Sequence, residues 1–303
     1  MSPHEPLEML RHADAPLALR RILERVVKPG MRVLDAGCGI GVTALWAARA
    51  GANVVAVDLG QTQLARRLAE ANRVADHVRW VRGDLARLQR DDLGAPFDLV
   101  IAPRCDGDLR RDESTLRLTA QLLERFLAPG GRALPDRITS RACAVDWPEQ
   151  DLPTRLRGLR SEVEALRGRY GLVFEPLLED LGRPPDPSWL PAQGPDGRLA
   201  RDGARLLGRP AEFYRLDAGR GLEPLPKSLT LPIASPGTLT GVLFTLSLAF
   251  GDDVFAERES LGWMAEPLRV EPGERVSLAL DARWRETNSL GLALHERTPQ
   301  PPP

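Results

Sequence analysis

The sequence predicts a two-part protein: an α/β domain built on a parallel sheet, followed by an all-β, barrel-like domain. Three observations carry this. Between residues 31 and 146 short apolar runs alternate with helix-patterned segments, and such alternation builds a parallel sheet covered on both faces. One strand-to-helix junction concentrates glycines at 37, 39 and 41. From about Leu206 short, partly alternating runs separated by turn residues take over, which is the pattern of antiparallel strands.

The elements follow in order. "MRVLDA" (31–36) is an apolar run ending in a carboxylate, suited to a buried parallel strand. "VTALWAARAGA" has helical spacing and stops at Gly51, and "NVVAVD" (53–58) is the second strand. "QTQLARRLAEANRV" reads as an amphipathic helix, "HVRWVRGD" as the third strand and "FDLVIAP" as the fourth. "DESTLRLTAQLLERFLAPGG" (112–131) reads as a helix with an acidic first turn and a Pro-Gly-Gly stop, and "RITSRACAVD" (137–146) as the fifth strand. These segments place the first domain at 1–146. A helical arm, "LPTRLRGLRSEVEALRGRYG", and a Pro/Gly-rich linker, "GRPPDPSWLPAQGPDGR", occupy 147–200. The β-domain covers 201–298, with strands expected in "SLTLPIA", "TLTGVLFTLSLAF", "PLRVEPGERVSLALDARW" and "LGLALHE". The tail 299–303, "PQPPP", is expected to be disordered.

Composition narrows the function classes. A net charge of -1 gives no electrostatic case for nucleic acid. No apolar run reaches the ~20 residues of a membrane helix. The opening "MSPHEPLEML" lacks the apolar core of a secretory signal. The three cysteines, Cys38, Cys105 and Cys143, are scattered and odd in number. That argues against a disulfide framework or zinc knuckle and fits a reducing cytoplasm.

The glycine-rich stretch "VLDAGCGIGVTAL" distinguishes two cofactor classes. A dinucleotide fingerprint needs Gly-x-Gly-x-x-Gly, and its third position is occupied by Val42. The sequence instead runs Asp35-x-Gly37-x-Gly39-x-Gly41, which resembles the nucleoside-binding loop of class I methyltransferases with a Rossmann-like fold. Glycines there let the backbone approach a ligand closely. The loop lies at the carboxyl edge of the sheet, where open α/β folds bind ligands. Asp58 ends the second strand and can accept both ribose hydroxyls, with Leu59 beside it. Asp84 ends the third strand and can accept an adenine amino group, with Leu85 beside it. Each acid alone also fits a simple helix cap. Their joint spacing favours S-adenosyl-L-methionine as cofactor.

Longer stretches resemble the protein arginine methyltransferases. "HEPLEML", "VLDAGCGIGVTALWAARAGANVVAVD", "FLAPGGRALPDRITSRACAV", "GRYGLVFEPL", "GVLFTLSLAFGDDVF" and "VEPGERVSLALDARW" fall in that family's order. The resemblance implies a substrate-binding barrel after the Rossmann-like domain, and a homodimer formed through the arm around 152–181. It also implies a loop after the fourth strand carrying two glutamates that hold a guanidinium. Here that loop is "APRCDGDLRRDEST". Depending on a one-residue shift, the two positions are Arg104 and Glu113, or Pro103 and Asp112, so the first carboxylate is missing either way. Asp106 and Asp108 are the acids available to replace it. In the family's Thr-His-Trp loop position, "LGWMAEP" keeps Trp263 but has Gly262 for the histidine. Ala15 stands where the resemblance implies a cofactor-gripping arginine, and the family's Tyr-rich lid helix has no counterpart.

Methyl transfer asks the protein mainly to orient a nucleophile and accept its proton. The candidates are Glu113, Asp106 and Asp108, with Trp263 as a wall. His4 or His12 can serve as a base near the cofactor mouth, while His77 and His295 read as structural. The expected activity is an S-adenosylmethionine-dependent methyltransferase acting on a small metabolite or peptide side chain. The alternatives are a divergent arginine N-methyltransferase and a catalytically silent cofactor-binding scaffold.

Overall fold

The computed structural model describes residues 14–60, 62–94, 96–102, 109–147, 203–218, 220, 226–280 and 294–298. Helix α1 (Asp14–Val26) leads into the first strand, β1 (Arg32–Ala36), which is followed by α2 (Val42–Arg49) and β2 (Asn53–Asp58). Then come α3 (Thr62–Ala71), a 3-10 turn (Ala75–His77), β3 (Val78–Arg82), the single turn α4 (Arg90–Leu93) and β4 (Phe97–Ile101). Helix α5 (Leu109–Phe126) runs into β5 (Leu127–Leu134). These five strands form one parallel sheet in the order β3-β2-β1-β4-β5.

Alternation along the strands divides the core. Val33, Val54, Ala56, Leu99 and Ile101 face α1, α2 and α3 with Leu23, Ala44, Ala48, Ala65 and Ala69. Leu34, Val55, Val57 and Val100 face α5, against Leu122, Leu123 and Phe126. A strand buried on both sides must be apolar at every position, which is why β1 and β2 were legible.

The fifth parallel strand is not the one expected. The segment 127–134, read as a helix end and its stop, pairs with β4 in parallel. "RITSRACAVD" is β6 (Arg137–Asp146) and pairs antiparallel with the strands that follow. Gly130 adopts φ 77°, a conformation glycine takes without penalty. An Ala-Pro-Gly-Gly run has no helical commitment, so pairing with the open edge of β4 decides its structure.

The second domain adds β7 (Arg205–Leu206), β8 (Ala211–Asp217), β9 (Ser228–Pro232) and the long hairpin β10 (Gly237–Phe250) and β11 (Asp253–Val270). Strands β12 (Arg275–Ala279) and β13 (Leu294–Thr298) complete it. One sheet runs β11-β10-β6-β7, with β8 also on β6; the other runs β13-β12-β9. They enclose Ala142, Ala144, Val242, Phe244 and Met264 against Leu229, Leu231, Val276 and Leu278, giving a curled half-barrel.

The hairpin end joins the two domains. Phe250, 2% exposed, enters the first domain's core, and Phe255 packs beside it. The Arg132 guanidinium stacks 4.0 Å from the Phe250 ring. Asp136 N–H donates to the Ala249 carbonyl (3.0 Å), and the Asp136 carboxylate accepts from Gly251 N–H (2.8 Å). Arg25 of α1 reaches Asp253 at 2.5 Å. Among the described residues no helix is long and apolar enough to cross a membrane.

Candidate functional site

The loop between β1 and α2 is held in a left-handed course at three glycines: φ is 77° at Gly37, 53° at Gly39 and 83° at Gly41. Gly37 and Cys38 N–H both donate to the Val57 carbonyl, at 2.9 and 3.0 Å, so the loop is tied to the end of β2. The glycines serve different ends. A Cβ at Gly41 would lie 2.4 Å from the Trp80 ring, whereas one at Gly39 would meet nothing within 4 Å. Gly41 is required by packing inside the protein; Gly39 leaves open space in front of the backbone.

Asp35 is buried at 2% exposure at the end of β1. Thr43 Oγ1 donates to it at 2.5 Å, and its carboxylate also accepts from the Ala44 amide. Helix α2 has no side-chain cap of its own at Gly41, so Asp35 caps it from the strand. Burial pushes the Asp35 carboxyl up to about 6; the bonds from Thr43 and Ala44 oppose this, and the nearby Asp58 charge adds to it. The Cys38 thiol is pushed well up, first by burial and then by Asp35 and Asp58, so it is no thiolate nucleophile.

Asp58 ends β2 with both oxygens engaged by backbone amides: Gly39 N–H donates to one at 2.9 Å, and Gly60 N–H to the other at 2.9 Å. The acid thus holds the glycine loop open beside it. A carboxylate offers about four acceptor sites in all. Leu59 next to it is 69% exposed, an apolar surface suited to a flat base. Gly83 N–H donates to the Asp58 carbonyl (3.0 Å), which brings the β3 end alongside. There Asp84 accepts from Ala86 N–H at 3.0 Å and lies 3.4 Å from Arg87, with a half-exposed side chain. Leu85 is buried in the core against α5.

Asp35, Gly37, Gly39, Gly41, Asp58, Leu59, Asp84 and Leu85 therefore gather at the carboxyl ends of β1, β2 and β3. Sequence reading missed Thr43, the hydroxyl on the Asp35 cap, and Trp80, the ring that excludes a side chain at Gly41. The only signals were a hydroxyl residue in the first turn of α2 and an aromatic in β3.

The acceptor candidates are less completely placed. Pro103, Arg104, Asp106, Asp108, His4 and His12 lie outside the described residues. The backbones of Asp112 and Glu113 lie near the start of α5, but their side chains lie outside the description. Trp263, likewise described only in its backbone, pairs with Gly241 in β11. It is ten residues from Asp253, or about 30 Å along a strand from the hairpin end at the first domain. Besides Asp253, residues of β11 that meet the first domain are Phe255 and Ala256, the latter packing with Leu116 of α5. Among the described residues no cluster of His, Cys, Asp and Glu has metal-site geometry.

Comparison with known proteins agrees with the fold. A methyltransferase-domain family model matches residues 33–131. Protein arginine N-methyltransferase 1 of Schizosaccharomyces pombe is 29% identical over 155 residues, 50% of this chain and 42% of that protein. The ribosomal protein L11 methyltransferase of Desulfitobacterium hafniense is 41% identical over 93 residues, 30% of this chain and 28% of that one. The chain thus spans less than half the length of either curated relative. Among solved structures, the Trypanosoma brucei PRMT1 enzyme–prozyme heterotetrameric complex with AdoHcy superposes with a TM-score of 0.66 at 20% identity, covering 90% of this chain and 85% of that one. Arabidopsis thaliana protein arginine methyltransferase 10, in an open conformation, gives 0.59 at 20% identity, covering 89% and 83%. Residues 33–131 are a class I methyltransferase domain, carried in a chain whose fold resembles that of the protein arginine methyltransferases.

Proposed function

We propose that the chain is an S-adenosyl-L-methionine-dependent methyltransferase that acts on a small metabolite or peptide side chain rather than on ordinary protein arginine. The observation that carries the cofactor is the pairing of Gly39, which has open space before it, with Asp58, the strand-end acid that holds that loop. The residues present fit the group. Gly39 would admit it against the backbone of the loop that Gly37 and Gly41 shape, and Asp58 would accept its ribose hydroxyls. Leu59 would lie along its base, and Asp84 would accept the amino group. When bound, it supplies an activated methyl on a sulfonium and a neutral leaving group. The chain's own part is to orient the acceptor, exclude water and receive the acceptor's proton, the last through Glu113, Asp106, Asp108 or His4.

The acceptor reading rests on the loop after β4, where Arg104 or Pro103 stands for the first of two acids. A cation facing a guanidinium repels it, and one carboxylate cannot clamp a planar cation from two sides. Fold likeness favours the second reading, an arginine N-methyltransferase with Asp106 or Asp108 in the clamp. It also favours a homodimer, and Cys38 and Cys143, buried and in no disulfide, suit a cytoplasmic protein.

The test is calorimetry with S-adenosylmethionine and its demethylated product, followed by transfer of labelled methyl to free arginine, an arginine-rich peptide and a metabolite extract. Binding of both nucleosides and labelling of the extract are expected. Labelling of arginine selects the second reading. A protein that ignores both nucleosides overturns the proposal.

A further inference from the structure

A cavity of about 530 Å³ lies where three segments meet: the end of α1, strand β5 and the tip of the β10–β11 hairpin. Its charged walls are Arg25 and Lys28 from the first, Arg132 from the second, and Asp252 and Asp253 from the third. It stands apart from the nucleoside edge. Arg132 is opposite Leu99 of β4, and Leu99 is opposite Val33 of β1. Arg132 is therefore level with the residue two before Asp35, and two strands, about 10 Å, to the side of it.

The cations of this cavity are not used up within the protein. Arg132 lies over the buried Phe250 ring at 4.0 Å. Among the described residues its guanidinium meets no hydrogen-bond or ion-pair partner. A stacked guanidinium uses its face and keeps its N–H fork directed outward in the plane, so the ring fixes the fork without consuming its donors. Lys28 Nζ donates to the Arg25 carbonyl at 3.3 Å, and an ammonium has three donors. Arg25 and Asp253 neutralise each other at 2.5 Å. What remains is two cations, Lys28 and Arg132, and one acid, Asp252, which also has no partner among the described residues. Covering Phe250 accounts for Arg132 but not for a second cation in the same cavity. Two like charges there repel each other, and an anion between them removes that cost.

We propose that this cavity binds a small phosphorylated polyol. Its phosphate is held by Arg132 as a two-pronged donor and by Lys28 as a point charge, and its hydroxyls donate to the Asp252 carboxylate. Asp252 sets the selectivity: it opposes a bare phosphate dianion, yet gives a ligand that also carries hydroxyls an acceptor. The volume falls within the 300–1,000 Å³ or so of small-molecule sites, far more than one phosphate fills. Such a ligand touches α1, β5 and the hairpin tip together, so its binding clamps the second domain onto the first.

The full chain is titrated by calorimetry at low salt with ribose 5-phosphate, inorganic phosphate and ribose, with and without S-adenosylhomocysteine. Ribose 5-phosphate is expected to bind more tightly than inorganic phosphate, ribose not to bind, and the nucleoside not to compete. Added salt should weaken the binding, and Tm should rise with ribose 5-phosphate concentration. Lys28→Gln and Arg132→Gln should each weaken it roughly tenfold. The Lys28 variant tests the site without uncovering Phe250. Asp252→Asn should weaken ribose 5-phosphate and tighten inorganic phosphate. The proposal is overturned by absence of ribose 5-phosphate binding, by binding unchanged in both Lys28→Gln and Arg132→Gln, or by displacement with S-adenosylhomocysteine. Equal affinity for inorganic phosphate, or an Asp252→Asn variant that binds both as before, overturns the polyol assignment.

Discussion

Replacing Asp35 by asparagine makes the burial of that carboxyl measurable. The group titrates at an ordinary 3.8 when the chain is unfolded and at about 6 when folded, chiefly because folding removes it from water. The folded state therefore binds the proton more tightly. Between these two values the native protein holds more protons than the unfolded chain, so stability falls as pH rises, and above about 6 the loss is complete. A rise of about two pH units at ~1.4 kcal/mol each makes the ionised group a cost of roughly 3 kcal/mol at neutral pH. The Asp35→Asn variant carries no such cost. It does lose acceptor capacity toward Thr43 and Ala44, an offset that does not vary with pH. Urea denaturation of both proteins from pH 4 to 7.5 should show the variant gaining on the wild type by about 3 kcal/mol across the window, then running parallel above it. Taking the difference cancels every other titrating group. A difference that stays flat from pH 4 to 7 refutes the claim that Asp35 is desolvated in the folded protein.

Gly39→Ala should cost about 1 kcal/mol for its left-handed conformation and weaken binding of the demethylated cofactor at least roughly tenfold, since a methyl then occupies the open space. Gly41→Ala should cost about 3 kcal/mol or more in urea, because its new Cβ strikes the Trp80 ring as well. Equal effects of the two on stability would remove the distinction between a ligand-facing and a packing glycine. At the domain junction, Phe250→Ala should cost about 3–5 kcal/mol. Asp253→Ala should cost under about 1 kcal/mol, since both ends of its bridge to Arg25 are more than half exposed. The opposite order, read by urea denaturation, would mean that charge rather than the buried ring docks the hairpin.

What the sequence revealed and what it hid follow from how far each signal reaches. The nucleoside edge was legible because its causes are local: β1 and β2 must be apolar on both faces, the turn after β1 needs glycine at positive φ, and strand ends place Asp35, Asp58 and Asp84 automatically. The fate of 127–134 was not legible, because whether Leu-Ala-Pro-Gly-Gly closes a helix or joins a sheet depends on the free edge of β4, which is far away in the chain. The same reasoning explains the second domain. Ser140 of β6 pairs with Leu246 of β10, 106 residues further along the chain, and which residues of these strands meet depends on register alone. A one-residue slip in β11 would turn each of its side chains to the opposite face. The register shift opposite Leu248 and Ala249, near the hairpin end, helps set that register. The second domain is therefore specified by pairing across long stretches of chain, whereas the glycine loop of the first is specified by a dozen contiguous residues.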